Sequence, residues 1–458
     1  MNPSPSKPND GPSRSLGSAI LYQDASQDLF IIDIPISISL AQHLPSATTN
    51  DTPSNIPLIY SSEAIQSPYS GPSPEPKTES GRAKILKLVP AWEREHHASL
   101  LGVVEDGMKR LKEGYQGKWC YPRCTIPLND GIDASLPPRK RLRLDEPDLT
   151  LEQGPKPEPG TISSPNTPKH EGYNPLEAIY GPPPIILAPG VNRFPSVKDT
   201  YNTIVTNPNS RQAVIRFAGS PRATATNAEP TPRRQTSLII PPKSTFISMH
   251  IQRYALSLSN PLPLIPSSQK FDFILADPPW PNRSVKRSRH YATATLLFDD
   301  LELLVANIVR TFLTSTGVVG VWVTNSGKAR LVVRNAFRAA GIVITEEWVW
   351  VKTTVAGEAV AALDGVWRKP YEVLIVGRMG GQGGCVRRRI IAGVPDVHSR
   401  KPGLRELVGQ AVFDGKEYTA LEVFARSLTA GWWAIGDEVV RFNWNGWWVG
   451  EGCLDNNV

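Results

Sequence analysis

Beyond Ser237 the chain alternates short apolar runs with stretches of helical periodicity, and this alternation restricts its fold more than any other feature. Phe246 to Ile251, Phe271 to Ala276, Val318 to Val323, Glu346 to Lys352, Tyr371 to Val376 and Leu421 to Phe424 read as strands. Leu301 to Leu313, Lys328 to Ala340 and Arg405 to Val412 read as helices, with Gly341 closing the second. Strands and helices in alternation build an α/β doubly wound sheet. Sheets of that kind bind ligands beyond the C-terminal ends of their strands, where strand order reverses. Chemistry is expected there.

The rest of the chain reads differently. Of the 44 prolines 35 precede position 251, whereas ten of the 12 tryptophans lie at or beyond Trp280, which places the ordered core in the C-terminal half. Residues 1–82, rich in Ser, Pro and Asn, are expected to be mostly disordered, with a short hairpin of Ala19 to Tyr22 and Phe30 to Ile38 turning through Asp24 to Asp28. Residues 83–135 read as a small helical region broken at Pro90, and 136–236 as a Pro-rich linker. Residues 237–458 form the domain that carries the alternation. Within the linker, Pro137 to Arg143 is a compact basic cluster that suits nuclear import, its plainer reading being a solvated basic turn.

Four cysteines, at 120, 124, 385 and 453, are too scattered for a disulfide framework, and with no leading charged-then-apolar signal they imply a reducing intracellular compartment. Cys120 and Cys124 have half-zinc-site spacing but no His pair nearby, so they read as free thiols and no metal is expected. No apolar run approaches the ~20 residues that span a bilayer, which argues against a membrane role. A net charge of +7 suits an anionic partner without identifying one.

Asp277-Pro278-Pro279-Trp280 directly follows the apolar run Phe271 to Ala276. A strand ending in a Pro-rich turn is the plain reading of such a sequence. The chemical reading is a site for an exocyclic amine. The amine's lone pair is delocalised into its ring, so fixed acceptors for its N–H groups favour the pyramidal nitrogen that attacks a methyl group. The Asp277 carboxylate and the Pro278 carbonyl supply acceptors, Pro279 stiffens the turn, and Trp280 offers a stacking face. The loop that follows contains Asn282, Lys286, Arg287, Arg289 and Tyr291, a basic run suited to phosphates. Tyr291 and Trp322 serve packing as well as stacking.

Further motifs follow in order: Pro241-Pro242-Lys243-Ser244, Trp322-Val323-Thr324-Asn325, Lys369-Pro370-Tyr371-Glu372, His398-Ser399-Arg400-Lys401-Pro402 and Glu422-Val423-Phe424-Ala425-Arg426. With the Asp-Pro-Pro-Trp element they resemble the DPPW-type adenine N6-methyltransferases, the family that includes the catalytic subunit of the mRNA methyltransferase, and especially its methyltransferase-like protein 4 branch. The resemblance implies a Rossmann-like methyltransferase fold with permuted motif order, S-adenosylmethionine as cofactor, and adenine in RNA as substrate, small nuclear RNA being favoured over mRNA. DNA adenine methylation and a noncatalytic RNA-binding scaffold are the alternatives. With the basic cluster the expected location is the nucleus, the cytoplasm being a further one, and no obligate partner subunit is evident.

Carried over by motif, Lys401 pairs with the cofactor's methionine carboxylate, Arg426 and its loop face the ribose, and Asp277 lies at the cofactor as well as the amine. Glu372 lies near the target nucleoside. Two positions depart from the family pattern. His250-Ile251 stands where an Asp-Ile pair contacts the cofactor's adenine, and Gly436-Asp437-Glu438 stands for Gly-Asn-Glu. Weaker or pH-dependent cofactor binding is the expected consequence.

Overall fold

The computed structural model describes residues 17–44, 56–70, 75–76, 78–125, 182–218, 237–251, 260–281, 296–366 and 369–449. The basic cluster at 137–143 and the loop residues Asn282, Lys286, Arg287, Arg289 and Tyr291 lie outside them. Residues up to Thr125 and from Pro184 onward make one compact unit, to which every element below belongs.

A twelve-stranded mixed sheet dominates that unit. Its centre is a parallel block in the order β10 (Leu313–Val323), β9 (Phe271–Ala276), β14 (Ala420–Val423), β15 (Trp433–Gly436) and β8 (Thr245–Ser248). Beyond β10 the sheet continues through β12 (Tyr371–Met379), β11 (Ile342–Lys352), β13 (Arg387–Gly393), β2 (Leu29–Ile32) and β1 (Ile20–Gln23). Beyond β8 it continues through β5 (Ile204–Thr206) and β3 (Ile185–Ile186). A separate three-stranded sheet is ordered β4 (Gly190–Phe194), β6 (Ala213–Phe217), β7 (Ser237–Ile240).

Five of the six residues of β9 are buried, as a central parallel strand covered on both faces requires. Asp272 is the exception, and its carboxylate accepts the Thr419 N–H at 3.0 Å. α4 (Phe298–Phe312) carries the chain from β9 to β10, and α5 (Gly327–Ala339) from β10 to β11. Leu301, Leu304, Val305 and Ile308 of α4 and Val332, Val333, Ala336 and Phe337 of α5 join one apolar core with β9 and β10. Gly341 takes a φ of 74° just past α5, a left-handed turn that favours glycine. α6 (Arg405–Ala411) precedes β14.

Three expectations about the N-terminal half require correction. The run Phe30 to Ile38 does not stay extended: β2 ends at Ile32 and α1 (Ile34–Ala41) begins, because the Asp33 carboxylate accepts the Ile36 N–H at 2.9 Å and Pro35 fits the first helical turn. Seven of the eight residues of α1 are buried, as are all four of β2, which pairs with β13, so β2 and α1 are part of the core rather than of a disordered tail. The helical region comprises α2 (Glu79–Leu88) and α3 (Ala91–Gly114), divided at Pro90. It is no separate module, since Leu100, Val104, Met108 and Leu111 of α3 belong to the same core as β9 and β10. The linker assigned to 136–236 contains β3 to β6, whose Val205, Ala213, Ile215 and Phe217 are buried. These strands are only two to five residues long, so they left no periodicity to read.

Candidate active site

Register brings the site together. Val423 lies opposite Ala276, Ile435 opposite Val423, and Gly436 opposite Ser248. The residues that follow these strand ends, Asp277, Arg426, Asp437 and His250, therefore emerge along one edge. The chain leaves β9 for β10 on one side, while β14 adds on the other, so Asp277 stands where strand order reverses. Phe424 turns through a φ of 60°, a conformation strained for a bulky residue, and sends the chain on to Arg426.

Seven charged side chains form a continuous line of alternating sign. Lys352 Nζ donates to Glu372 at 2.7 Å, and Lys401 Nζ lies 3.0 Å from the other oxygen of Glu372. Lys401 also donates to both oxygens of Asp277 at 3.2 Å, and Arg426 Nη1 donates to Asp277 at 2.8 Å. Arg426 Nε continues to Glu438 at 3.1 Å, which Arg441 closes at 2.8 Å. Burial works against the charges of Lys401 and Glu372, but their partners prevail. Lys401 is held above the ordinary lysine range by Asp277 and Glu372, and Glu372 is drawn down to about 2 by Lys401 and Lys352. Asp277 is thus a carboxylate gripped by two cations and still partly exposed, at 17% of its side-chain surface.

Trp280 departs from its expected role. It is buried to 6% exposure, stacks on Phe298 at 6.3 Å, and donates its indole N–H to the Trp322 carbonyl at 2.8 Å. An indole so enclosed presents no open face to a base in this conformation; it pins the tetrapeptide to the end of β10 instead. Its backbone N–H donates to the Pro278 carbonyl at 2.8 Å, making a tight turn that uses one of that oxygen's two lone pairs. Trp322 is buried as well, so packing is the reading that holds for it.

His250 and Asp437, the two departures noted in the sequence, prove to be neighbours: His250 Nδ1 lies 3.3 Å from Asp437 Oδ1. The Tyr201 and His250 rings meet edge to face at 67°, 5.6 Å between centroids. An aspartate at 250 would set two carboxylates against each other here rather than restore a lone acceptor. Ile251 is fully buried, which leaves its backbone as the part able to meet a ligand.

Sequence reasoning missed Lys352, Arg441 and the part played by Glu422. A carboxylate inside the apolar strand β14 was the available signal for Glu422. Burial and the charge of Asp277, offset in part by Arg426, push the Glu422 carboxyl up to about 8. A carboxyl raised in this way stabilises the fold fully below its unfolded value near 4.5, and that contribution is lost as pH rises through 8. Glu422→Gln is therefore expected to flatten the decline in melting temperature between about pH 5 and 8.5. Parallel melting profiles for the two proteins would show that Glu422 ionises normally.

Asp277, Lys401, Arg426, Glu438 and Glu372 thus share one ion network, with His250 and Asp437 paired at the adjoining strand ends. Residues 271–438 match the MT-A70 family. An N6-methyladenosine RNA methyltransferase MTA1 of Cryphonectria parasitica is 40% identical over 185 residues, covering 39% of this chain and 54% of the relative. The N(6)-adenine-specific methyltransferase METTL4 of Homo sapiens is 34% identical over 218 residues, covering 44% of this chain and 43% of the relative. A DNA N6-methyl methyltransferase of Caenorhabditis elegans is 31% identical over 215 residues, covering 44% and 53%. The chain spans about half the length of these relatives. The match begins at the first residue of β9 and ends on Glu438 of the ion network, and so takes in Asp277, Glu372, Lys401 and Arg426.

Proposed function

We propose that this chain transfers a methyl group from S-adenosylmethionine to the N6 amino group of adenine in RNA, with small nuclear RNA the favoured substrate. The observation that carries this reading is Asp277 at the point of strand-order reversal, held by Lys401 and Arg426 and followed by a rigid turn. The parallel block β10-β9-β14-β15-β8, with β8 and β9 preceding the rest in sequence, supports a Rossmann-like fold of permuted motif order.

The donor set suits the cofactor. Lys401 offers a cation to a carboxylate, Asp277 an acceptor to an ammonium, and Glu438 an acceptor to ribose hydroxyls. His250, Asp437 and the Ile251 backbone are the groups proposed to meet the cofactor's adenine. Bound S-adenosylmethionine supplies an electrophilic methyl group on a sulfonium. Asp277 and the free lone pair of the Pro278 carbonyl orient the target amine toward it. After transfer the nitrogen is strongly acidic and its proton leaves to water, so no dedicated base is needed. Glu372, fixed between two lysines, seats the base.

Lys286, Arg287, Arg289 and Asn282 are proposed to contact flanking phosphates, and Arg139, Lys140, Arg141 and Arg143 to direct nuclear import. Replacing the latter four by alanine should abolish nuclear accumulation of a tagged chain; unchanged accumulation would discard the signal. The nematode relative, named as a DNA N6-methyl methyltransferase, makes DNA the second reading. Radiolabelled methyl transfer to RNA and DNA of matched sequence separates them. RNA is expected to be labelled at least about tenfold above DNA, a preference of ~1.4 kcal/mol. The reverse ratio would make DNA the substrate, and label in neither polymer, with cofactor still bound, would favour a noncatalytic scaffold.

A further inference from the structure

Lys401 holds its place because of the residue before it. Arg400 is 3% exposed, and its Nη1 donates to Asp396 at 2.5 Å and to the Tyr60 carbonyl at 2.9 Å. Its guanidinium carbon lies 4.4 Å from the Phe442 ring centroid and 4.8 Å from that of Trp447, two rings that meet at 73°. Nε and Nη2 have no hydrogen-bond partner among the described residues. The aromatic corner is what these two nitrogens have in place of acceptors.

The anchors are themselves tied down. Asp396 accepts the Ser62 N–H at 2.8 Å. Arg123 donates to the carbonyls of Val394 at 2.7 Å and Pro395 at 3.0 Å. Tyr60 donates its N–H to the Trp447 carbonyl at 2.7 Å, and Val449 to that of Leu58 at 2.8 Å. Ser62, Tyr60, Arg123, Phe442 and Trp447 all lie outside residues 271–438, the part that matches the family. Between these anchors and Lys401 stands Ser399, whose φ of 69° is left-handed and costly for a residue with a Cβ. Such a conformation persists only where the surroundings impose it.

A lysine has four side-chain torsions, so a bridge from Lys401 to both Asp277 and Glu372 requires a backbone fixed at its root. We propose that Arg400 is a positioning residue. Locked by Asp396 and the aromatic corner, it imposes the backbone of 399–401, and through Lys401 it sets affinity for the cofactor's carboxylate. The segments around 58–62, 123 and 442–449 are thereby part of the cofactor site without touching the cofactor. The proposal rests on the reading of the site as one for S-adenosylmethionine.

The test uses the full chain. Arg400→Gln should raise the Kd for S-adenosylmethionine by about tenfold, while turnover at saturating cofactor stays within about threefold of wild type, because Asp277 is untouched. Arg400→Lys, which keeps a cation beside Asp396, should fall between the two and guards against loss of folding in the glutamine variant. The decisive readout is a double-mutant cycle with Lys401→Met: adding Arg400→Gln to that variant should change Kd by less than about twofold, since the effect passes through Lys401. Full additivity, or a folded Arg400→Gln protein with wild-type affinity, would overturn the proposal. A second measurement needs no cofactor. The rate at which Lys401 reacts with an amine-acylating reagent, followed by peptide mass spectrometry, should rise severalfold in either Arg400 variant. If wild-type protein bound no S-adenosylmethionine, the functional reading would fail, and the acylation rates alone would decide whether Arg400 positions Lys401.

Discussion

Asp277→Ala is expected to reduce methyl transfer to adenine by a factor of 10² or more, equivalent to ~3 kcal/mol in the barrier, and to leave the domain folded. The loss is large because in the proposed mechanism the carboxylate is a fixed acceptor for the amine, and water in its place would have to be oriented anew at each turnover. Folding should survive because Asp277 follows β9 rather than sitting within it; the strand's own contribution comes from Phe271, Phe273, Ile274 and Leu275. The ion pairs that the substitution removes are partly exposed, and Lys401 and Arg426 keep Glu372 and Glu438 as partners. Turnover measured beside a circular-dichroism melt checks both halves. Near wild-type turnover from the folded variant would remove Asp277 from the mechanism.

Lys401→Met should weaken S-adenosylmethionine binding by about 10- to 100-fold, the worth of one charge-assisted hydrogen bond. Isothermal titration would measure it, and unchanged affinity would place the carboxylate elsewhere. The same substitution has a signature in stability. Burial raises the Glu372 pKa while Lys401 and Lys352 lower it more, to about 2 in the fold. A depressed carboxyl of this type stabilises the fold above its unfolded value near 4.5 and loses that contribution as pH falls through 2. The stability difference between wild type and Lys401→Met should therefore shrink on acidification through that window. A difference that stayed constant would mean that Lys401 does not interact with an ionised Glu372.

The central strands and helices were legible because each element carried its own signal. β9 is an apolar run interrupted only by Asp272 and stopped, after Asp277, by proline, which has no N–H to continue a ladder, and α4 and α5 bury periodic faces. β13 was not legible, since it opens on three arginines and owes its place to β11 and β2 on either side. β15 is a four-residue strand that begins with a half-buried tryptophan. In the site, the residue types were legible but their partners were not. Asp277 and Lys401 are 124 positions apart, and nothing local in either segment encodes that one grips the other. His250 and Asp437 each stood out as a departure, yet only the parallel register of β8 and β15 shows that they face each other. The burial of Trp280 depended on Phe298 and the Trp322 carbonyl, contacts that arise from α4 and β10 closing over the turn.

The most direct measurement of the central claim is the position of the transferred methyl group. Incubating the full chain with isotopically labelled S-adenosylmethionine and an adenine-containing RNA, digesting the product to nucleosides and separating the methyladenosines by chromatography with mass spectrometry would locate it. In the proposed mechanism an acceptor pair made of the Asp277 carboxylate and the Pro278 carbonyl orients an exocyclic amine, so the label is predicted on N6 and is predicted to vanish with Asp277→Ala. Label on a ring nitrogen such as N1, which has no hydrogen to donate to either acceptor, would contradict the account.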